Sequence, residues 1–206
     1  MGDGRPSGLH FMTVLMVDRT GGRNTPGLSS EEREDFLKPM RKQWLWVSKE
    51  YCHMYQSAQM PMVQVTFVPS DPNPSDLRCI ICRTQSDSVV ARVAPGGGRL
   101  GTGGTTAVGS GRDRRGARLR SLSEIYWDAA DSYEFLAKLT FHELMHNKLQ
   151  LQDDLLHNSY DAGYGLSRDQ LATTDMTNRS TSEMTQGNAV IMAQHLFDEN
   201  PQFAGG

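Results

Sequence analysis

Three of the chain's six histidines lie in the segment from Lys138 to Gly165, and two of them flank a glutamate. His142 and His146 are four positions apart with Glu143 between them, and His157 follows eleven positions later. Residues four apart on an α-helix lie about 40° apart around its axis, so both imidazoles can reach one metal ion. Glu143 is turned about 100° from His142, so it can stand beside a metal-bound water without being a ligand.

This spacing suits the hydrolysis of an amide bond. Zinc lowers the pKa of a bound water towards about 7, and a nearby carboxylate can take the proton as the water attacks a carbonyl. Glu143 can then pass this proton to the leaving amine. The competing interpretation is a pair of helix-surface histidines beside a glutamate. The helical context of the motif and the third histidine favour a metal site.

Length and charge narrow the classes of protein to consider. The 206 residues are enough for one domain with a sizeable core, and the formal net charge is −3. This charge gives no global argument for binding nucleic acid or a membrane surface. No apolar run approaches the roughly 20 residues of a membrane span. The N-terminus is not typical of a signal peptide, and its apolar stretch from Leu9 to Val17 predicts a buried strand.

The cysteines predict neither a disulfide framework nor a second metal site. There are three, Cys52, Cys79 and Cys82, an odd and small number. Cys79 and Cys82 have the spacing of half a zinc knuckle, but the chain has no second such pair. The two isoleucines between them are typical of a strand interior. We therefore expect buried thiols.

The first third of the chain predicts a strand, a long helix and a second strand. The segment 10–18 is apolar and β-branched, and the loop after it is rich in Gly, Pro and Asn. Ser29 followed by Glu32 matches a capping box that begins a helix over about 30–59, interrupted at Pro39. The alternation in 61–69 predicts a half-buried strand. The predicted apolar face of the helix contains Trp44, Val47, Tyr51 and Tyr55.

The middle of the chain predicts two short strands and a glycine-rich segment. The strands are expected at 77–84 and 88–94, paired through the polar residues between them. Nine of the 21 residues in 96–116 are glycine, and several arginines follow. We interpret this segment as a mobile loop or a long hairpin, with the arginines at a solvated rim.

The last part predicts the helix that carries the histidines. A strand is expected at 121–128, then a helix over about 132–150 that begins near Asp131 and Glu134. A core-facing stripe on this helix is formed by Ala137, Phe141, Leu144 and Met145. A polar stretch extends to about residue 178, and a last helix is expected over 180–197. The predicted class is α/β (α+β).

The motif HELMH and the order of these elements resemble the zincin metallopeptidases, and within them the metzincins. The resemblance covers nearly the whole chain. It implies a mixed twisted sheet packed on two long helices, and a single domain over 1–206. It divides this domain into an N-terminal lobe of about 8–150 and a small C-terminal lobe of about 151–200 that carries the last helix. It also implies one bound Zn²⁺ ion.

The resemblance implies a third ligand in the loop after the motif helix, and a methionine turn before the last helix. His157 fits the first role by position, and Met176 fits the second. Met184 is the alternative for the turn, although it is expected inside the last helix as a core residue. Tyr160 and Tyr164 lie just past His157, where they could stabilise an oxyanion or simply pack the loop.

The spacing of the third ligand departs from the family pattern. Metzincins have Gly three residues, and His or Asp six residues, past the second motif histidine, whereas this chain has Leu149 and Gln152. The longer spacing to His157 predicts that the helix continues for a further turn. Carboxylates also bind zinc. The alternatives to His157 are therefore Asp153, Asp154 and Glu183, the last of which would imitate the other large zincin branch.

The sequence therefore predicts a zinc endopeptidase with Glu143 as general base. Its substrate would be a protein or peptide lying extended along an edge strand, in a cleft between the two lobes. A binding module with a structural zinc and no hydrolytic activity is the alternative from another class. The domain also resembles metzincin-like effectors of type VI secretion. That resemblance implies a toxin made in the bacterial cytoplasm, exported to the periplasm or a target cell, with an immunity or carrier protein as partner.

Overall fold

The computed structural model describes residues 11–69, 77–93, 103–107, 121–150 and 184–197. The strands are β1 Phe11–Arg19, β2 Met62–Val68, β3 Leu77–Cys82, β4 Gly104–Ala107 and β5 Leu122–Tyr126. The helices are α1 Ser30–Tyr55, α2 Val90–Val93, α3 Tyr133–Leu149 and α4 Gln186–Gln194. Together they confirm the predicted α/β (α+β) class.

The five strands form one mixed sheet in the order β2-β1-β3-β5-β4. The first four are parallel, and β4 is antiparallel to β5 at one edge. Parallel neighbouring strands need a long crossover connection between them. Helix α1 is such a connection between β1 and β2, whereas α3 follows β5, the last of the described strands. The mixed sheet predicted from the sequence is confirmed, and its antiparallel edge lies beside α3.

The long helix α1 begins where the sequence predicts. The Ser29 side chain accepts from the Glu32 backbone N–H at 3.1 Å, and the Glu32 carboxylate accepts from the Ser29 N–H at 2.7 Å. The helix passes through Pro39 and ends at Tyr55, earlier than residue 59, because Gln56 adopts the left-handed conformation with φ 48°. A left-handed residue at this position is a common way for a helix to end.

The main core lies between the sheet and the helices α1, α3 and α4. Trp44 of α1 contacts Phe141 of α3 with ring centroids 5.1 Å apart. The predicted faces are buried with one exception, Tyr55, which is 43% exposed and packs on the Tyr51 ring. The opposite face of the sheet carries a smaller apolar cluster around Val17 and Tyr126. Packing in the main core fixes α3 against the sheet.

The cysteines are free thiols, as predicted. Cys79 and Cys82 are buried on β3, and Cys52 is half-buried on α1. Burial raises the pKa of the Cys79 thiol well above its ordinary value, and the negative charges of Glu143 and Glu124 raise it further. Cys79 is therefore held as a neutral thiol, a poor metal ligand and a poor nucleophile.

The predicted strand at 88–94 is wrong. A 3-10 turn at Gln85–Asp87 precedes this segment, which instead contains the short helix α2. The reason is the buried carboxylate of Glu124 on β5. It accepts from the backbone N–H groups of Val89 at 2.8 Å and Val90 at 3.0 Å, and from the Ser88 hydroxyl. A carboxylate that binds the first N–H groups of a segment favours a helical turn there.

The glycine-rich segment forms the edge of the sheet in the part that the structure describes. Gly104–Ala107 pairs with β5 in an antiparallel register that places Thr106 opposite Ser123. This stretch is therefore an edge strand, and the remainder of 96–116 lies outside the described residues, so the choice between loop and hairpin stays a prediction. None of the helices in the described ranges is long and apolar enough to cross a membrane.

The last helix begins later than the sequence predicts. Thr185 is its N-cap, and its side chain accepts from the Asn188 N–H at 3.1 Å. The helix starts at Gln186, so Met184 precedes it rather than lying inside it, although Met184 is buried as expected. The expected start at residue 180 lies outside the described residues. The apolar side of this helix belongs to the main core.

We expect Glu124→Gln to destabilise the fold by about 2–4 kcal/mol. The amide group has only one oxygen, so its nitrogen would face N–H or O–H donors that now bond to the carboxylate. Urea unfolding followed by circular dichroism measures this change. Asp128→Asn is the control, since that side chain is 51% exposed and its ion pair to Arg83 is long at 3.5 Å. Equal unfolding midpoints for the two variants would contradict the role given to Glu124.

Candidate metal centre

The helix α3 carries the motif through the middle of the core. Its N-cap is Ser132, which accepts from the Phe135 N–H at 3.2 Å, and not the predicted Asp131. It ends at Leu149 because Gln150 is left-handed, with φ 57°. The further turn predicted from the spacing to His157 is therefore wrong.

His142 and His146 point their ring nitrogens at each other. Their Nε2 atoms are 3.2 Å apart, and the ring planes meet at 85° with centroids 4.8 Å apart. The two residues are only 7% and 3% exposed. The helix spacing places them side by side, and packing around α3 holds them there. The predicted convergence of the two imidazoles is thus present in the fold.

This geometry fits two ligands of one zinc ion. Two nitrogens about 2.05 Å from a metal and at a tetrahedral angle are about 3.3 Å apart. The observed Nε2 separation is 3.2 Å. Without a metal, the same separation allows one neutral ring to donate a hydrogen bond to the other. Both arrangements need the Nε2 atoms to converge, which is the property a metal site requires.

Glu143 lies on the side of α3 that faces the sheet edge. Its Oε2 accepts from the Thr106 hydroxyl at 2.6 Å, and its backbone carbonyl accepts from the Ser123 hydroxyl at 3.0 Å. The Asn147 side chain donates to the Ser123 hydroxyl at 3.0 Å. These bonds connect the turn 143–147 of the helix to β4 and β5. They hold the carboxylate at a fixed place against the sheet edge.

The backbone of β4 runs directly against the Glu143 side chain. A Cβ atom on Gly104 would lie 3.0 Å from both Cγ and Oε1 of Glu143, and 2.8 Å from the Glu124 carbonyl oxygen. Real Cβ atoms avoid such distances, so a side chain at position 104 would displace the carboxylate or the strand. Glycine at this position therefore allows the strand and the carboxylate to lie in contact.

The remaining candidate residues lie outside the described part of the chain. These are the proposed third ligand His157 and its alternatives Asp153, Asp154 and Glu183, together with Met176, Tyr160 and Tyr164. Within the described ranges there is no cluster of three or more His, Cys, Asp or Glu side chains that could hold a metal. The structure brings together His142 and His146 with Glu143 on one turn of α3, and the other assignments stay predictions.

Four residues around Glu143 were missed by the sequence reasoning. Thr106 and Gly104 lie in a glycine-rich segment whose strand is short, and Ser123 lies in the strand expected at 121–128, where no site residue was predicted. Asn147 gave a local signal, because it is four residues after Glu143 and therefore on the same side of the helix. The pairing of β4 with β5 that unites them is not visible in any local pattern.

Comparisons with known proteins give no match: no protein-family model matches the chain, and no curated protein matches it. The resemblance to zincins thus depends on the motif and on the order of the elements. The implied roles as a peptidase and as a secreted effector stay predictions.

We expect Gly104→Ala to lower the free energy of unfolding by about 1–3 kcal/mol, because the new methyl group meets backbone and the Glu143 side chain. Thermal unfolding measures this loss. Gly22→Ala is the matched control, since a Cβ there meets nothing within 4 Å and should leave stability equal or slightly higher. Equal stability of the two variants would mean that β4 does not contact Glu143 as described.

Proposed function

We propose that this protein is a zinc-dependent metallopeptidase. The observation that carries this proposal is the 3.2 Å separation of the His142 and His146 Nε2 atoms, with Glu143 between them in the helix. Two converging imidazoles beside a fixed carboxylate are the elements of metal-assisted hydrolysis. The spacing of the motif on a helix and the separation of the two Nε2 atoms both support this chemistry.

Three residues would hold the metal: His142, His146 and His157, in a set of ligands that leaves one position open for water or substrate. When bound, zinc acidifies water and polarises the carbonyl of a peptide bond. The two buried imidazoles supply neutral nitrogen ligands, and their burial limits the access of bulk water to the site. His157 is carried over from the zincin pattern, with Asp153, Asp154 and Glu183 as its alternatives.

Glu143 acts as the general base. Its carboxylate takes a proton from the attacking water and delivers that proton to the amine that leaves. A base can do this only if its position is set before the reaction begins. The hydrogen bond from Thr106 and the close approach of β4 at Gly104 both support this requirement.

The edge strand β4 is the proposed docking place for an extended peptide. Tyr126 N–H donates to the Gly103 carbonyl at 2.9 Å, so residues 103, 105 and 107 form the hydrogen-bonded pairs with β5. The N–H and C=O groups of Gly104 and Thr106 therefore face away from β5, at the edge of the sheet that the described strands form. A substrate strand can pair with them by β-augmentation, which brings its backbone next to Glu143.

A binding module with a structural zinc is the second candidate. The low exposure of the two histidines, 7% and 3%, favours it because structural sites are closed to solvent. Such a module has a fourth protein ligand and no place for a reacting water. Hydrolytic activity together with one bound zinc distinguishes the two candidates.

We expect Glu143→Gln to retain zinc and to lose activity by about 10²–10⁴-fold, because the amide cannot accept the proton of the attacking water. Cleavage of a quenched fluorescent peptide library by the zinc-loaded protein measures this loss, with metal content measured on the same samples. Glu134→Gln is the matched control, since Glu134 is an exposed residue of the same helix. Full activity in Glu143→Gln would reject the mechanism. If the unmodified protein binds zinc but cleaves no peptide, the result favours the binding module.

The third ligand is identified by metal retention. We expect His157→Ala to lose zinc on dialysis, while Asp153→Ala, Asp154→Ala and Glu183→Ala retain it, because only removal of a ligand lowers affinity directly. Metal analysis after dialysis gives the result. Retention of zinc by His157→Ala, with loss in one of the acid variants, would reassign the ligand.

A further inference from the structure

The Thr106 hydroxyl is surrounded by three oxygen atoms. It lies 2.6 Å from Glu143 Oε2, 2.9 Å from the Glu143 carbonyl oxygen and 2.9 Å from the Ser123 hydroxyl. A hydroxyl has a single proton to donate, so only one of these oxygens can receive it in a linear bond. The destination of this proton decides whether Thr106 acts on the carboxylate or only on the backbone.

The surrounding donors indicate that the proton goes to the carboxylate. Asn147 donates to the Ser123 hydroxyl at 3.0 Å, and this hydroxyl is placed to donate its own proton to the Glu143 carbonyl oxygen at 3.0 Å. The carbonyl oxygen therefore already has a donor. The carboxylate is the nearest oxygen to Thr106 and the strongest acceptor, since bonds to an ionised group are shorter and stronger than neutral ones.

We propose that Thr106 is a positioning residue for Glu143, and that its hydroxyl holds the orientation of the carboxylate through Oε2. This inference rests on the proposed function, because it assigns Glu143 a reaction to perform. A carboxylate fixed at one oxygen cannot rotate about its terminal bond, so Oε1 stays on the side of Gly104. Restricting this rotation sets the base in place before substrate arrives.

One short strand thereby performs two tasks. The backbone groups of Thr106 lie in the plane of the sheet and face away from β5, where a substrate strand can pair, and its side chain projects from the face of the sheet to Glu143. A peptide aligned by β4 is therefore also aligned with the base. A shift of β4 would move the peptide and the carboxylate together, because one residue, Thr106, pairs with the peptide through its backbone and binds Glu143 through its hydroxyl.

The first test compares Thr106→Val with Thr106→Ser in the zinc-loaded protein. Valine has the shape of threonine but no donor, whereas serine keeps the hydroxyl. We expect Thr106→Val to lower kcat about 10–100-fold with KM nearly unchanged, because the pairing backbone is kept and only the base is misplaced. Thr106→Ser should recover most of kcat, and both variants should bind zinc as the unmodified protein does. Equal losses in the two variants, or a change confined to KM, would overturn the proposal.

The second test needs no activity. The shift in Tm caused by Thr106→Val is measured in the zinc-free protein, and again in a Glu143→Ala background. A bond to the carboxylate predicts a clear loss of Tm in the first case and a much smaller loss in the second, since the partner is then absent. Thr105→Val, with its side chain on the other face of the strand, should shift Tm equally in both backgrounds.

The two tests separate the inference from the proposed function. If the unmodified protein cleaves no peptide, the proposed function fails while the Tm comparison still decides whether Thr106 holds the carboxylate. An equal Tm loss from Thr106→Val with and without the Glu143 carboxylate would overturn the inference, because the proton would then go to the backbone carbonyl or to Ser123.

Discussion

Polar side chains buried in the middle of a helix impose the main constraint on this fold. Residues 140–147 of α3 include Thr140, His142, Glu143, His146 and Asn147, all buried. Each must have a hydrogen-bond partner, because an unsatisfied polar group in the core costs about 1–3 kcal/mol. Thr140 donates to a backbone carbonyl in its own helix at 2.8 Å, and the others depend on each other and on the sheet. Apolar side chains of similar size would stabilise the fold equally well. The presence of buried polar side chains at these positions therefore indicates a function.

Side chains at the sheet edge provide hydrogen-bond partners for these polar groups. Thr106 on β4 and Ser123 on β5 are directly opposite each other, with their hydroxyls 2.9 Å apart, and both reach Glu143. The pairing of the two strands therefore builds the polar surface that α3 needs. Gly104 lets the strand come close enough to do so. The same antiparallel strand lies at the edge of the described sheet, so the strand that binds the carboxylate is also the one proposed to pair with a peptide.

Local patterns predicted a large part of this structure. The capping box at Ser29 and the apolar stripe around Phe141 are short-range signals, and the fold follows both. The convergence of His142 and His146 followed from helix geometry alone. These features need only the residues within one or two turns, which is why one sequence is enough to find them.

Long-range contacts account for the errors. The segment 88–94 has a strand composition, but Glu124, more than thirty positions away, binds its N–H groups and makes it helical. The hydroxyl of Thr106 reaches Glu143 across a comparable separation in sequence. Such partners are set by strand pairing, which no local pattern encodes. The predicted third ligand and the methionine turn lie outside the described residues, so they stay predictions.

The central claim is that His142 and His146 bind one divalent metal ion, and Co²⁺ titration tests it most directly because four-coordinate Co²⁺ absorbs visible light. We predict that one equivalent of Co²⁺ gives intense absorption bands, that Zn²⁺ displaces it, and that His142→Ala and His146→Ala each abolish the bands. His53→Ala, which removes an exposed histidine of α1, should leave them unchanged. Bands of full intensity in the His142→Ala and His146→Ala variants, or none in the unmodified protein, would contradict this account.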